Sequence, residues 1–167
     1  TKPVSQIAGD LKTYIDNTVK PETGTLINLV GHSLGGLTAR TYVQNNPLAP
    51  VSHLVTLGAP EKGVTMTYYL WEGGDLKKGG LTGIDNLAAG LLLHLRKPGF
   101  STTAKALQTV IPSFKDLLPT FNYLKQNGQI KQVGQMNQKN TWLTNLNANP
   151  PANLLSVLNS FVGNQEN

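Results

Sequence analysis

The stretch Gly31-His32-Ser33-Leu34-Gly35-Gly36 constrains the fold more than any other part of these 167 residues. It follows an apolar run, Leu26-Ile27-Asn28-Leu29-Val30, and precedes Leu37-Thr38-Ala39-Arg40-Thr41-Tyr42-Val43, which suits a helix. A serine at a sharp strand-to-helix turn sits in a strained backbone conformation, and neighbouring side chains would collide with that turn. Gly31 and Gly35 are expected to remove those side chains. The turn then exposes the Ser33 hydroxyl, and the following helix aims its free N–H groups and positive end at it. A negative oxygen forming beside Ser33 would meet the backbone N–H of Leu34. The plainer reading is a glycine-rich turn whose serine caps a helix. The 17 glycines of the chain make a chance G-x-S-x-G easier, but the strand before it and the helix after it favour a nucleophile elbow.

A second segment, Leu54-Val55-Thr56-Leu57-Gly58-Ala59-Pro60, comes about twenty residues later, with Gly63 after it. It is a β-branched and leucine-rich run of strand length, ended by glycine and proline. Joined to the first by a helix and an Asn-Asn-Pro loop, it completes a β-α-β unit. The expected elements are a strand over Thr25–Val30, a helix from Leu34 to about Asn46, and a strand over His53–Leu57. Upstream, Val4, Ile7, Ala8, Leu11, Ile15 and Val19 recur at helical spacing, and Pro21 closes that helix.

In this order, Ile27–Leu37 and Leu54–Pro60 resemble the elbow and the following strand of α/β-hydrolase lipases and esterases. Those lipases usually carry His after the proline, where this chain has Glu61. The resemblance covers about residues 20 to 63. Further on, Asp116–Leu124 weakly resembles part of the cap of lecithin:cholesterol-acyltransferase-like lipases. The resemblance implies an α/β fold: a partial α/β-hydrolase core of parallel strands and flanking helices over residues 1–63, then a mostly helical cap or lid over 64–167. It also implies a serine hydrolase of carboxylic esters. Ser33 would form an acyl-enzyme and Leu34 would contribute to the oxyanion hole, without cofactor or metal. The implied partners are an ester or lipid substrate and transient contact with a lipid surface. An amidase or acyltransferase on the same fold, or a fragment that binds lipid or a partner without turnover, are the alternatives.

Composition narrows the partners. The net charge is +5, but Lys and Arg are scattered, with Lys77-Lys78 and Arg96-Lys97 as the only close groupings. That is too little for a phosphate-tracking stripe, so no nucleic-acid partner is expected. Mild attraction to anionic lipid is compatible with it. Without cysteine, disulfides and Cys-based metal sites are excluded. This fits a bacterial secreted or cell-envelope protein without identifying a compartment. The first residues hold no apolar signal core, and no apolar run reaches membrane-spanning length.

Beyond Glu61 the character changes. Tyr68-Tyr69-Leu70-Trp71 opens a loop-rich stretch with aromatic side chains expected at the surface. Thr82 and Asp85 form a capping-box-like start to a helix bearing Ile84, Leu87, Leu91 and Leu95. A further helix is expected over Thr103–Ile111, a turn-and-hairpin region over Gln126–Gln138, and a last helix carrying Leu154, Leu155, Val157, Leu158 and Phe161. These apolar residues could simply form a small core. Their position after the second strand favours a cap with an apolar pocket lining.

A serine needs a base, and the base needs a carboxylate to orient it, in chain order Ser, Asp/Glu, His. His32 adjoins Ser33 and is expected to point elsewhere. His53 begins the second strand, five residues or roughly 16 Å from its elbow end. His94 lies among leucines on a cap helix, where a core or surface role is the ordinary one. With Asp75 or Asp85 it has the right order but not the expected strand context. Only two parallel strands are evident, leaving two bare edges. The expectation is therefore an incomplete hydrolase, whose remaining segments would supply the acid, the base and the second oxyanion donor.

Overall fold

The β-α-β unit organises the molecule. In the computed structural model, β1 (Ile27–His32) leads through Ser33 into α2 (Leu34–Asn45), which returns to β2 (Val51–Leu57). The strands run parallel, with Leu29 beside Leu54, Gly31 beside Thr56 and His32 beside Leu57. The structure describes residues 2–19, 24–73, 99–127, 129–131 and 139–161, and the chain divides into two compact units.

The first unit comprises Pro3–Glu61 and Asn145–Asn167. Ahead of β1 lies α1 (Val4–Tyr14), which widens into a π-type turn over Ile15–Val19. The core joins Ala8 and Ile15 to Ala39, Tyr42 and Val43 of α2, and to Val51, Leu54 and Leu154. Alternation along the strands sends Ile27, Leu29 and Gly31 towards this side and leaves Asn28, Val30 and His32 exposed. Helix α2 is buried from Gly36 to Val43, including two threonines. Their hydroxyls donate to the carbonyls four residues back, Thr38 to Leu34 at 2.9 Å and Thr41 to Leu37 at 2.7 Å. Burial therefore leaves neither hydroxyl unpartnered.

A third parallel strand corrects the two-strand expectation. Residues Ala152–Leu155 form a short helix, but Leu158–Phe161 forms a strand, β5, that pairs with β2, and the sheet order is β1-β2-β5. The apolar spacing from Leu154 to Phe161 suits a helix. The unpaired edge of β2 offers ladder hydrogen bonds that a helix would forgo, and pairing overrides the local pattern. Thr56 and Ser160 add a hydroxyl contact of 2.9 Å across this pair.

The second unit comprises Thr1–Lys2 and Lys62–Thr144. It holds α3 (Thr65–Tyr68), a π-type turn over Tyr69–Gly73, α4 (Thr103–Val110), α5 (Ser113–Asp116), and the antiparallel hairpin β3 (Leu124–Gln126) and β4 (Gln129–Lys131). Helix α6 (Thr141–Ala148) carries the chain back. The short helix Ala152–Leu155 is α7 and the last strand β5. Trp71, an aromatic side chain expected at the surface, is buried, as is Leu70, which packs with Ala106 and Leu107. Asn140 anchors the start of α6: its amide donates to the carbonyls of Asp116 and Leu118 at 2.8 Å each, and its oxygen accepts the Leu143 N–H at 2.9 Å. The expected helix around Ile84–Leu95 lies outside the described residues, as does most of 126–138.

Candidate functional site

The stretch Gly31–Gly36 forms a strand-to-helix turn. Ser33 lies between the last residue of β1 and the first of α2, with φ 52° and ψ −125°. Positive φ is costly for a residue with a Cβ, of order 1–3 kcal/mol, and marks a conformation held by its surroundings. Three backbone hydrogen bonds hold it. The Ser33 N–H donates to the Leu57 carbonyl at 2.9 Å, which extends the β1–β2 ladder by one rung. The Ser33 carbonyl accepts the N–H groups of Gly36 at 3.0 Å and Leu37 at 3.3 Å. The side chain makes no capping hydrogen bond and Ser33 is exposed. The helix-capping alternative therefore has no geometric support.

The N–H groups of the first helical turn have no acceptor within the helix. Gly36 and Leu37 bond back to Ser33, which leaves Leu34 and Gly35 as the donors beside the serine. The twelve-residue α2 adds the positive end of its dipole there. The arrangement suits a small anionic oxygen.

Gly31 and Gly35, expected to act alike, differ. A Cβ at Gly31 would stand 2.6 Å from both Cα and N of Gly36. One at Gly35 meets nothing within 4 Å. The crowding expected at Gly35 falls on Gly36 instead, where a Cβ would come within 2.9 Å of Ala59 Cβ and of the Gly31 carbonyl. Gly31 and Gly36 thus let strand and helix cross in direct backbone contact. Gly35 borders a cavity of about 440 Å³ that is also lined by Ile7, Leu11, Tyr14, Val30 and Thr38. The doubled glycine Gly35-Gly36 was the available sequence signal, but sequence does not say which of two adjacent glycines faces the strand.

Among the described residues, His53 stands away from the serine. His53 pairs with Asn28, four residues before Leu57 on β2, roughly 13 Å down the strand from the elbow. Its ring Nδ1 lies 3.2 Å from Asn28 Oδ1 and 3.0 Å from Ser52 Oγ. His32 is exposed at the end of β1 and borders the same cavity as Gly35. His94 lies outside the described residues, as do Asp75 and Asp85. Glu61, which stands where the resembled lipases have His, pairs with buried Arg40. Among the described residues no group of three His, Asp or Glu is placed to hold a metal ion.

A search of curated proteins finds no match to this chain. The family model for palmitoyl protein thioesterase matches residues 2–162, which takes in the elbow, all three parallel strands and the segment between them. A parallel sheet, a serine-bearing strand-to-helix turn and a family match over nearly the whole chain agree: the chain belongs to the palmitoyl protein thioesterase family, a lipase-like family of α/β-hydrolases.

Proposed function

We propose that Ser33 is the nucleophile of a serine hydrolase that cleaves fatty-acyl thioesters or carboxylic esters. The observation that carries this reading is the positive φ of Ser33 between β1 and α2. That conformation costs stability, presents the hydroxyl outward, and serves no capping bond that would explain it structurally.

In this reading, Ser33 Oγ attacks the acyl carbonyl carbon while a base takes its proton. The carbonyl oxygen becomes an oxyanion that accepts the Leu34 N–H, with the α2 dipole behind it. The tetrahedral intermediate collapses, the bond to the leaving sulfur or oxygen breaks, and the leaving group is protonated. Water then attacks the acyl-serine and returns Ser33 with release of the fatty acid. The name of the family motivates the thioester, and the apolar composition expected of a lipid pocket suits a long acyl chain. The unit Lys62–Thr144 follows β2, and we read it as the cap of this enzyme.

The test is covalent labelling. A fluorophosphonate probe is expected to label Ser33 in the complete protein, and Ser33→Ala is expected to abolish labelling. Persistent labelling of the Ser33→Ala protein would remove Ser33 from the mechanism. Comparing a palmitoyl thioester with its oxygen ester then separates the two substrate classes.

A further inference from the structure

Helix α2 carries one charged side chain within its buried stretch. Arg40 is 6% exposed, two turns along the helix from Ser33. A buried guanidinium must have partners, because an isolated charge away from water is very costly. It has three. Nη1 pairs with the Glu61 carboxylate and donates to Asn147 Oδ1 at 2.7 Å, and Nη2 donates to the Leu146 carbonyl at 3.2 Å. Asn147 closes the ring by donating to the Glu61 carbonyl at 2.6 Å, and Gln44 adds a bond to the Leu146 carbonyl at 2.8 Å. Leu146 is in the last turn of α6, where a cation is favoured by the helix dipole.

The partners have a common place in the chain. Glu61 ends the loop that leaves β2, and Leu146 and Asn147 belong to the segment that returns to the sheet unit. At its start the loop is fixed by the sheet: Leu57 accepts the Ser33 N–H, and the Gly58 N–H donates to Phe161 at 2.9 Å. At its end it is fixed by Arg40. Between these anchors, Ala59 packs on Gly36, with no room for a methyl group there. The loop thus forms one wall of the backbone contact that keeps Gly31, Ser33 and the first turn of α2 in register.

We propose that Arg40 is a positioning residue for the elbow, acting through the loop Gly58–Glu61 rather than by contact with substrate. The proposal rests on the reading of Ser33 as the nucleophile. The planar fork explains why arginine stands there: it reaches a carboxylate, a side-chain amide and a backbone carbonyl together, which a lysine ammonium cannot do in the same geometry. An oxyanion donor must be held to within about 0.5 Å, and a misplacement of 1 Å can cost about a hundredfold in rate. Loosening the loop is therefore expected to reduce turnover before it disrupts folding.

The experiment compares Arg40→Lys, Arg40→Met, Glu61→Gln and the double variant Arg40→Met/Glu61→Gln in the complete protein. Kinetics on a soluble acyl thioester are read beside amide hydrogen exchange at Gly36 and Leu37. The double variant removes both charges of the pair and so keeps the fold testable should Arg40→Met alone fail to fold. The expected result for folded Arg40→Lys and the double variant is kcat lower by about tenfold or more, with KM within about twofold. Exchange at Gly36 and Leu37 should be faster, and Arg40→Lys should retain more activity than Arg40→Met. Wild-type kcat with wild-type exchange in the folded double variant would overturn the proposal and leave Arg40 a structural residue. The Ser33→Ala labelling control separates the two failures: if Ser33 is not the nucleophile, labelling persists there, while the exchange measurement still reports whether Arg40 holds the elbow.

Discussion

Alanine substitution at the three elbow glycines turns the strand–helix contact into a measurable order. A Cβ at Gly31 would meet only backbone, at 2.6 Å from Gly36 Cα and N and 2.7 Å from Gly35 C. Backbone at the crossing of β1 and the buried helix α2 has little room to move. Gly31→Ala should therefore exceed the usual 1–3 kcal/mol of overpacking and cost about 3 kcal/mol or more. At Gly36 the closest atoms are Ala59 Cβ and the Gly31 oxygen at 2.9 Å, with Thr56 Cβ at 3.3 Å. Ala59 sits on a loop and can shift a little, so Gly36→Ala should cost about 1–3 kcal/mol. At Gly35 the space is open and the backbone helical, so alanine gains helix propensity, up to about 1 kcal/mol. Urea denaturation of each variant gives the stabilities, with unchanged m-values required for the comparison. Fluorophosphonate labelling rates measure the elbow separately. The expected order of stability is Gly35→Ala, then Gly36→Ala, then Gly31→Ala. A Gly35→Ala variant as destabilised as Gly31→Ala would refute the reasoning, because the contact would then lie on the other glycine.

Three further outcomes follow from single contacts. Ser33→Gly and Ser33→Ala both lack the hydroxyl, but glycine accepts φ 52° and alanine does not; the glycine variant should be the more stable by about 1 kcal/mol, and the reverse order in a thermal melt would argue against strain at this residue. Tyr123 has a buried hydroxyl without a hydrogen-bond partner among the described residues, and its pKa is raised by burial first and by Tyr68, Tyr69 and Glu72 after that. A raised folded-state pKa means stability that is intact below about pH 10 and lost as pH rises through the folded value. Tyr123→Phe should therefore be neutral or stabilising by up to about 1 kcal/mol at pH 7, and should decline less steeply above pH 10 in melts across that range. Asn140→Ala removes three hydrogen bonds from a buried site, including the cap of α6, and should cost about 2–4 kcal/mol by chemical denaturation; a loss below 0.5 kcal/mol would show that these carbonyls find other donors.

What the sequence alone determined is local. A strand, a glycine-flanked serine and a helix are encoded by residues within about twenty positions, where hydrophobic period and glycine placement act directly on the backbone. The strand-to-helix turn was legible for that reason, and so were the strands and helix around it, to within two residues at most of their ends, whereas α1 ends at Tyr14, short of the stop expected at Pro21. Tertiary structure decided what depends on distant partners. Leu158–Phe161 is a strand because β2, a hundred residues earlier, offers an open edge. Leu70 and Trp71 are buried, Leu70 because Ala106 and Leu107 come to meet it. Gly36 rather than Gly35 takes the backbone contact because the rotation of α2 over β1 sets which glycine faces inward. Arg40 read as an ordinary helix residue until Glu61 and Asn147, 21 and 107 positions away, closed around it. A lone cation in an otherwise buried helix signals that a partner must exist, but only the fold can say which one, because the energy of a buried charge depends on groups that sequence distance does not order.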